Sequence, residues 1–498
     1  MFAHLRPLVL VALCGLFPSS FATLEPELDV NSQDSIKNAT QILAKAIIQR
    51  YNDRLPGEAP GLFDEPNMDL PYAFGQTGAV WGSLLEYGHL TGDSQYNELV
   101  SKALTHQLGT MNNFMPQNQT KTLGNNDQAS FGITAVTAAE VGLAAPEGEA
   151  GQWIDIASRV FNNLVERWDM QACSGGLHWQ IFQLNNGYQY MNTDSAANFF
   201  VLSARLAQFT GNKTYSDWAD KVYQWTVDHK FIEDFKIYDG ASAMQNCSKV
   251  EPLQWTSNHG LFTEGAAVMY NLTNGTDKWK TVVEGLTDSV DIFIGDNKAL
   301  IEVACETLNN DCGLDQDTIQ NKTMNEVLDA VGCVNAGTCN LDQRAFKGIA
   351  AHSYYRTIRV APFTSEKLQP ILSTSAKMAE TSCVGPFTSR SENTTDNVSC
   401  AFQWKKGVPN DVLSNVVNDL GEMHNALAVV QGLLWPQAKT LATSSSSVGS
   451  GSSGSSSDTP NGAAGSNNGD APKNNAVGRV QASWGLLALF GGFFLVGM

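Results

Sequence analysis

The chain is 498 residues long, 43% hydrophobic and 16% charged, with a formal net charge of -19. That length can bury one large core or two smaller ones. So large an acidic excess excludes a nucleic-acid partner, whose phosphates call for clustered Lys and Arg, and suits a soluble extracellular protein.

At the N-terminus, His4 and Arg6 precede an apolar run over 8–17 and the small residues Ser20 and Ala22, the pattern of a secretory signal peptide spanning 1–22. Its removal takes Cys14 away and leaves Cys173, Cys247, Cys305, Cys312, Cys333, Cys339, Cys383 and Cys400. An even set favours disulfides in an oxidising compartment. No Cys-x2-Cys pair or His cluster accompanies them, so no metal is expected. Sequons at Asn38, Asn118, Asn212, Asn246, Asn271, Asn274, Asn321, Asn393 and Asn397 agree with secretion.

From there to about residue 437 the chain reads as helix after helix. Apolar residues recur at helical spacing over 35–51, 78–90, 96–108, 128–141, 153–168, 195–209, 215–227, 260–272, 279–292, 343–356 and 421–434. An internal repeat pairs them: Leu-Thr-Gly-Asp-Ser-Gln-Tyr at 90–96 matches Phe-Thr-Gly-Asn-Lys-Thr-Tyr at 209–215, with a looser copy at 272–279. In each, Gly92, Gly211 or Gly275 suits a left-handed helix C-cap and a polar residue starts the next helix. The spacing predicts hairpins of about 60 residues, six or seven of them, in one all-α domain over 23–437. Closed into a ring, six such hairpins make an (α/α)6 barrel; left open, they make a solenoid.

Residues 438–475, rich in Ser, Gly and Asn from Ser444 onward, read as a disordered stalk. The last stretch, 476–498, ends in an apolar run from Trp484 that is short for a spanning helix and lacks a basic flank. Small residues, polar spacer and apolar tail match a GPI-attachment signal, with Gly469 or Asn474 as the attachment residue.

Asn126, Asp127 and Gln128 stand at a helix entrance, where Asn and Asp serve to cap the first turn. The segment around them, Phe-Met-Pro-Gln-Asn-Gln-Thr-Lys-Thr-Leu-Gly-Asn-Asn-Asp-Gln at 114–128, resembles the active-site segment of glycoside hydrolase family 76. That family contains bacterial endo-α-1,6-mannanases and fungal cell-wall transglycosidases that accept GPI-anchored mannoproteins. The resemblance extends to Gly-Gly-Leu-His-Trp-Gln at 175–180 with the following Asn-containing loop, to Cys-Asn-Leu-Asp-Gln-Arg-Ala-Phe-Lys at 339–347, and to the Cys383 and Cys400 pair. It implies the closed (α/α)6 barrel. Eight cysteines allow roughly a hundred pairings; for those other than Cys383 and Cys400, we expect Cys173 with Cys247, Cys305 with Cys339 and, nested inside, Cys312 with Cys333.

Cleaving a glycoside needs one carboxylic acid to protonate the leaving oxygen and, for retention, a second carboxylate to attack the anomeric carbon. In the family two adjacent aspartates fill these roles, the first as nucleophile and the second as acid/base. The resemblance therefore makes Asp127 the acid/base and puts Asn126 at the nucleophile position, where a neutral amide cannot form the usual glycosyl-enzyme ester. Phe74-Gly75-Gln76 stands where relatives have Trp-Trp-Glu, and Ser130-Phe131 where Phe-Trp is usual. Asp194, in a loop that the family points at the cleft, also reads as the cap of the helix starting at Ser195. Asp342 reads as a partner of Lys347 or a helix cap.

Gln128, Trp179, Gln180, Tyr188, Asp194 and Asn258 complete the expected substrate contacts, the aromatics stacking on sugar faces. His178 and His259 serve equally as ordinary polar residues. No nucleophilic-Ser motif, P-loop or dinucleotide fingerprint is present, and no cofactor is expected. Two functions follow from the resemblance. One is a GPI-anchored cell-wall enzyme that cleaves α-1,6-linked mannan or mannoprotein glycans, with water or wall glucan as acceptor. The other is a mannan-binding wall protein on the same scaffold without turnover.

Overall fold

Two kinds of helix alternate along the chain, one buried on every side and one that buries a single face, and this alternation sets the architecture. The computed structural model describes residues 22–23, 28–52, 59–63, 74–306, 339–385, 398–404 and 420–444. Among them twelve helices have ten residues or more: α1 (Gln33–Asn52), α2 (Phe74–Thr91), α3 (Asn97–His106), α4 (Asn125–Glu140), α5 (Trp153–Glu166), α6 (Thr193–Thr210), α7 (Lys213–Asp228), α8 (Thr256–Leu272), α9 (Asp277–Ser289), α10 (Phe346–Val360), α11 (Ser365–Thr381) and α12 (Leu420–Gln431).

The even-numbered helices are rich in Gly, Ala, Ser and Thr and are buried almost throughout. Each packs on the next, and α12 packs back on α2, which closes the ring and excludes the open solenoid. The odd-numbered helices keep a polar face and form the outer layer. The inner helices run parallel. Along the α2–α4 seam Gly75 meets Asp127, Gly78 meets Phe131 and Gly82 meets Thr134. Along α4–α6, Asn126 bonds Asp194 near one end, while Thr137 and Glu140 bond Arg205 near the other. Small residues make this closeness possible: a Cβ on Gly260 of α8 would sit 2.6 Å from the Cα of Ala350 on α10.

The barrel axis below the mouth is charged. Arg356 of α10 reaches Glu86 of α2 (2.7 Å) and Glu140 of α4 (2.9 Å), and Arg205 of α6 also bonds Glu140 (2.6 Å). His352 lies 3.0 Å from the second oxygen of Glu86. Between this network and the mouth is a cavity of about 50 Å3 lined in part by Ser83, Thr134, Asn198, Glu264, His352 and His424. It is large enough for water, and its mostly apolar wall carries a few polar side chains.

The expected all-α domain and its hairpins are present, with two differences. Apolar spacing does not predict helix α11, because Pro370 interrupts its pattern; the helix nevertheless runs through the proline, which gives up one backbone hydrogen bond there. Four of the inner helices also begin two to four residues earlier than apolar spacing suggests, at Phe74, Asn125, Thr193 and Thr256. Their first turns carry polar residues that face the mouth, so periodicity does not find them. Cys173 is joined to Cys247, Cys305 to Cys339 and Cys383 to Cys400. Cys312 and Cys333, the stalk, Gly469 and Asn474 lie outside the described residues.

The axial network predicts an acid-sensitive contribution to stability. Burial alone would raise the Glu86 carboxyl, but His352 and Arg356 outweigh it and hold the group at about 2. A depressed carboxylate stabilises the fold above its unfolded value, here near 4.5, and that contribution is lost as pH falls through about 2. Glu86→Ala should therefore cost about 3–5 kcal/mol at pH 7 in denaturant unfolding, since it removes one of the two carboxylates that the buried Arg356 bridges. The gap to wild type should close steadily below pH 4.

Candidate active site

Because the inner helices are parallel, their N-termini share one end of the barrel, and the positive ends of six helix dipoles favour carboxylates there. Asp127 lies in the first turn of α4, Asp194 in the first turn of α6, and Asp342 just before α10. A three-stranded antiparallel ribbon, with Tyr190–Asn192 and Val250–Glu251 flanking Gly240–Ser242, brings Asp239 to the same end.

Asp127 does not cap its helix from outside. As the third residue of α4 it reaches back, and its Oδ2 accepts the Gly124 N–H at 2.7 Å. The Gly75 N–H, at the start of α2, is a second donor. Glycine is required at both places: a Cβ on Gly75 would lie 2.6 Å from Asp127 Oδ1, and one on Gly124 would lie 2.3 Å from Asn126 Oδ1 and 3.1 Å from Asp127 Oδ2. The Asn126 amide and the Asp127 carboxylate thus sit side by side over Gly124.

Asn126 turns its Nδ2 to Asp194, donating to Oδ2 at 2.8 Å. Asn198, one turn further along α6, donates to Asp194 Oδ1 at 2.8 Å. Asp194 is not the cap of α6; Asn192 is, accepting the Ser195 N–H at 3.2 Å. This frees the Asp194 carboxylate for the mouth. Asp342 is not paired with Lys347 either, because Lys347 is buried against Glu306 and the carbonyl of Phe402. Asp239 accepts from Tyr190 Oη at 2.6 Å and Trp255 Nε1 at 2.7 Å. Among the described residues no Lys or Arg pairs with Asp127 or Asp194, and no group of three or more His, Cys, Asp or Glu side chains could hold a metal ion.

The remaining expected contacts separate into two groups. Trp179 stays at the site: its carbonyl accepts the Asn125 N–H at 2.8 Å, and Gly187, at a left-handed φ of 89°, covers part of its indole. Gln128 and Asn258, expected as substrate contacts, are scaffold. Gln128 is fully buried and holds the carbonyl of Asn113 and the guanidinium of Arg167, while Asn258 donates to Thr193 Oγ1 at 2.8 Å. Gln180 and Tyr188 line a separate recess of about 380 Å3 with Arg167 and Asp169, where Tyr188 stacks on His178 at 4.2 Å. His259 is buried between Tyr354 and Ser289. Sequence reasoning missed Asn198, whose spacing of four from Asp194 is the signal for a shared helix face. It also missed Asp239, which only the ribbon brings near.

Comparison with known proteins gives a consistent picture. The model of the family described as glycosyl hydrolase family 76 matches residues 35–326 and 316–445. The chain is 35% identical over 447 residues to mannan endo-1,6-alpha-mannosidase DCW1 of Saccharomyces cerevisiae, covering 89% of each chain. It is 33% identical to mannan endo-1,6-alpha-mannosidase DFG5 of the same yeast, covering 87% of this chain and 86% of the relative. The crystal structure of Dfg5 from Chaetomium thermophilum in complex with glucosamine superposes with a TM-score of 0.71 at 32% identity, covering 84% of this chain and 94% of that one. An inactive variant of an α-1,6-mannanase from a Salegentibacter species, solved with alpha-1,6-mannotetrose, shares the fold at a TM-score of 0.57 and 13% identity, over 80% and 98% of the two chains.

Burial, with the nearby Asp342, pushes the Asp127 carboxyl up to about 6 against the pull of its two backbone donors. Burial and then Asp127 push Asp194 up to about 7, with Asp239 and Asp342 adding to it. A carboxyl raised in the folded state favours folding when protonated and opposes it once ionised, so stability falls as pH rises from about 4 through 7. Asp194→Asn should gain relative to wild type over that range by on the order of 2–3 kcal/mol, read from unfolding curves at pH 4 and pH 8. A pH-independent difference would show that the carboxyl is not held above its ordinary range.

Proposed function

Since this chain belongs to glycosyl hydrolase family 76, we propose that its barrel mouth cleaves α-1,6-mannosidic bonds in mannan or in mannoprotein glycans. It is a glycosidase that processes cell-wall mannan, like its mannan endo-1,6-alpha-mannosidase relatives. The observation that carries this reading is the position of Asp127, buried enough to be raised to about 6 and fixed by two backbone N–H groups at the helix-rich end of the barrel. A carboxyl held in that range keeps its proton in mildly acidic surroundings, as a general acid must. Trp179 beside it offers an apolar ring face to the sugar.

The enzyme works outside the cell. Residues 1–22 direct secretion, the stalk and tail carry a GPI lipid at Gly469 or Asn474, and the freed glycan passes to water or to wall glucan. The exposed sequons at Asn38, Asn118, Asn212, Asn246, Asn271 and Asn274 support that compartment.

Asp127→Asn should lower kcat/KM for α-1,6-mannotetraose on the order of 10²–10⁴-fold while leaving its binding, measured by calorimetry, close to wild type. Unchanged turnover would remove Asp127 from the chemistry. Asn126 supports a second reading, a mannan-binding protein without turnover. In that case wild type binds mannotetraose without cleaving it, and cleavage emerges only in Asn126→Asp.

A further inference from the structure

We propose that the recess walled by Gln180, Tyr188, His178 and Asp169 is a second carbohydrate site, which holds a neutral hexopyranose unit of the mannan chain without cleaving it. The inference rests on the mannan reading above for its ligand and adds a place that the reaction does not use.

The backbone at 178–180 separates that place from the mouth. Asn125 donates its N–H to the Trp179 carbonyl at 2.8 Å, and Gly124 and Gln180 pair across the same contact as an isolated antiparallel bridge. Successive side chains of such an extended strip leave on opposite faces. Trp179 accordingly stays with the mouth, whereas His178 and Gln180 line the recess, to which neither Asp127 nor Asp194 contributes.

The walls are fixed before any ligand arrives. The His178 ring stacks on Tyr188 with centroids 4.2 Å apart and planes 8° apart, while its Nδ1 lies 2.6 Å from the Tyr188 carbonyl and its Nε2 3.0 Å from Asp169 Oδ2. Arg167, which also lines the recess, donates to Asn125 Oδ1 at 2.7 Å and to Gln128 Oε1. A site braced in this way gives up little freedom on binding. Its volume of about 380 Å3 falls within the range of small-ligand sites, on the order of 300–1,000 Å3.

Gln180 supplies an unpaired donor. The residue is only 5% exposed, and its Oε1 accepts from Asn185 Nδ2 at 3.0 Å, but its Nε2 makes no hydrogen bond among the described residues. That nitrogen is not one of the sealed polar atoms of the interior, so a ligand can reach it. A buried amide without a partner is costly, and a ligand hydroxyl that accepts from it recovers the loss.

The wall also selects the class of ligand. Arg167 against Glu166 and Asp169 gives no positive excess, which excludes phosphate and sulfate. The same charged side chains exclude an apolar guest. A pyranose suits both limits: its hydroxyls accept from Gln180 and donate to the partly exposed Asp169, and its C–H face covers Tyr188 and the exposed Met170. A mannan chain held here and at the mouth is bound at two points, which strengthens attachment to the polymer without any change at the reacting bond.

Calorimetric titration of the Asp127→Asn protein with α-1,6-mannotetraose tests this, because slowed cleavage leaves binding to be counted. Two molecules per chain are expected. Tyr188→Ala in that background should reduce the count to one. Since Tyr188 also supports His178, Met170→Trp provides a second route; it adds bulk to the recess from an exposed position and should likewise leave one site, with the unfolding transition unchanged. Laminaritetraose, a β-1,3-glucan fragment, should not compete for the second site. A single site before either substitution, two sites that persist in both variants, or a second site that prefers laminaritetraose overturns the inference and leaves the glycosidase reading standing. If mannotetraose does not bind anywhere, the inference falls together with the substrate reading.

Discussion

The parallel run of the six inner helices is the constraint on which the rest depends. It collects six helix N-termini at one end, so that backbone N–H groups and helix dipoles supply positive potential to Asp127 and Asp194, which among the described residues have no ion pair with a lysine or arginine. Asp127 illustrates the result, with a carboxylate held by the N–H groups of Gly124 and Gly75 from two neighbouring helices. Those contacts require α2 and α4 to approach closely, which in turn requires glycine at 75 and 124. Asp127 and Asp194 therefore respond chiefly to burial and to neighbouring carboxylates.

The same packing creates a second demand further down the axis. Parallel helices with small side chains leave space in the centre, and polar chains from all six fill it. Arg205 and Arg356 bridge Glu86, Glu140 and Glu264 across the ring. Such a network adds little net stability compared with apolar packing, yet removing one member is costly, which favours a single arrangement of the helices around the mouth. Asn198 joins the two levels, since it lines the axial cavity and also bonds Asp194.

Much of this was legible in the sequence because hairpin architecture repeats. The Gly-capped turns at Gly92, Gly211 and Gly275, each at left-handed φ, marked the helix pairs without any tertiary information. The helix entrances were not legible, because their first turns are polar and face a cleft; Asp194 consequently read as a cap, although Asn192 takes that role. Asp127 could be singled out, but its setting depends on Gly75 and Asp342, far away in sequence. Gln128 and Asn258 show the reverse error: residues of a binding type, at motif positions, turn out to hold neighbouring elements together. A polar side chain on an inner helix can face the mouth or the next helix, and a change of about 100° about the helix axis decides which.

The central claim is that Asp127, held at the barrel mouth by the N–H groups of Gly124 and Gly75, is the acid of the proposed glycosidase reaction. The most direct measurement is a crystal structure of the Asp127→Asn protein with intact α-1,6-mannotetraose. The account predicts the scissile oxygen within hydrogen-bond reach of residue 127, roughly 2.6–3.2 Å. A sugar bound only away from residue 127 would contradict it.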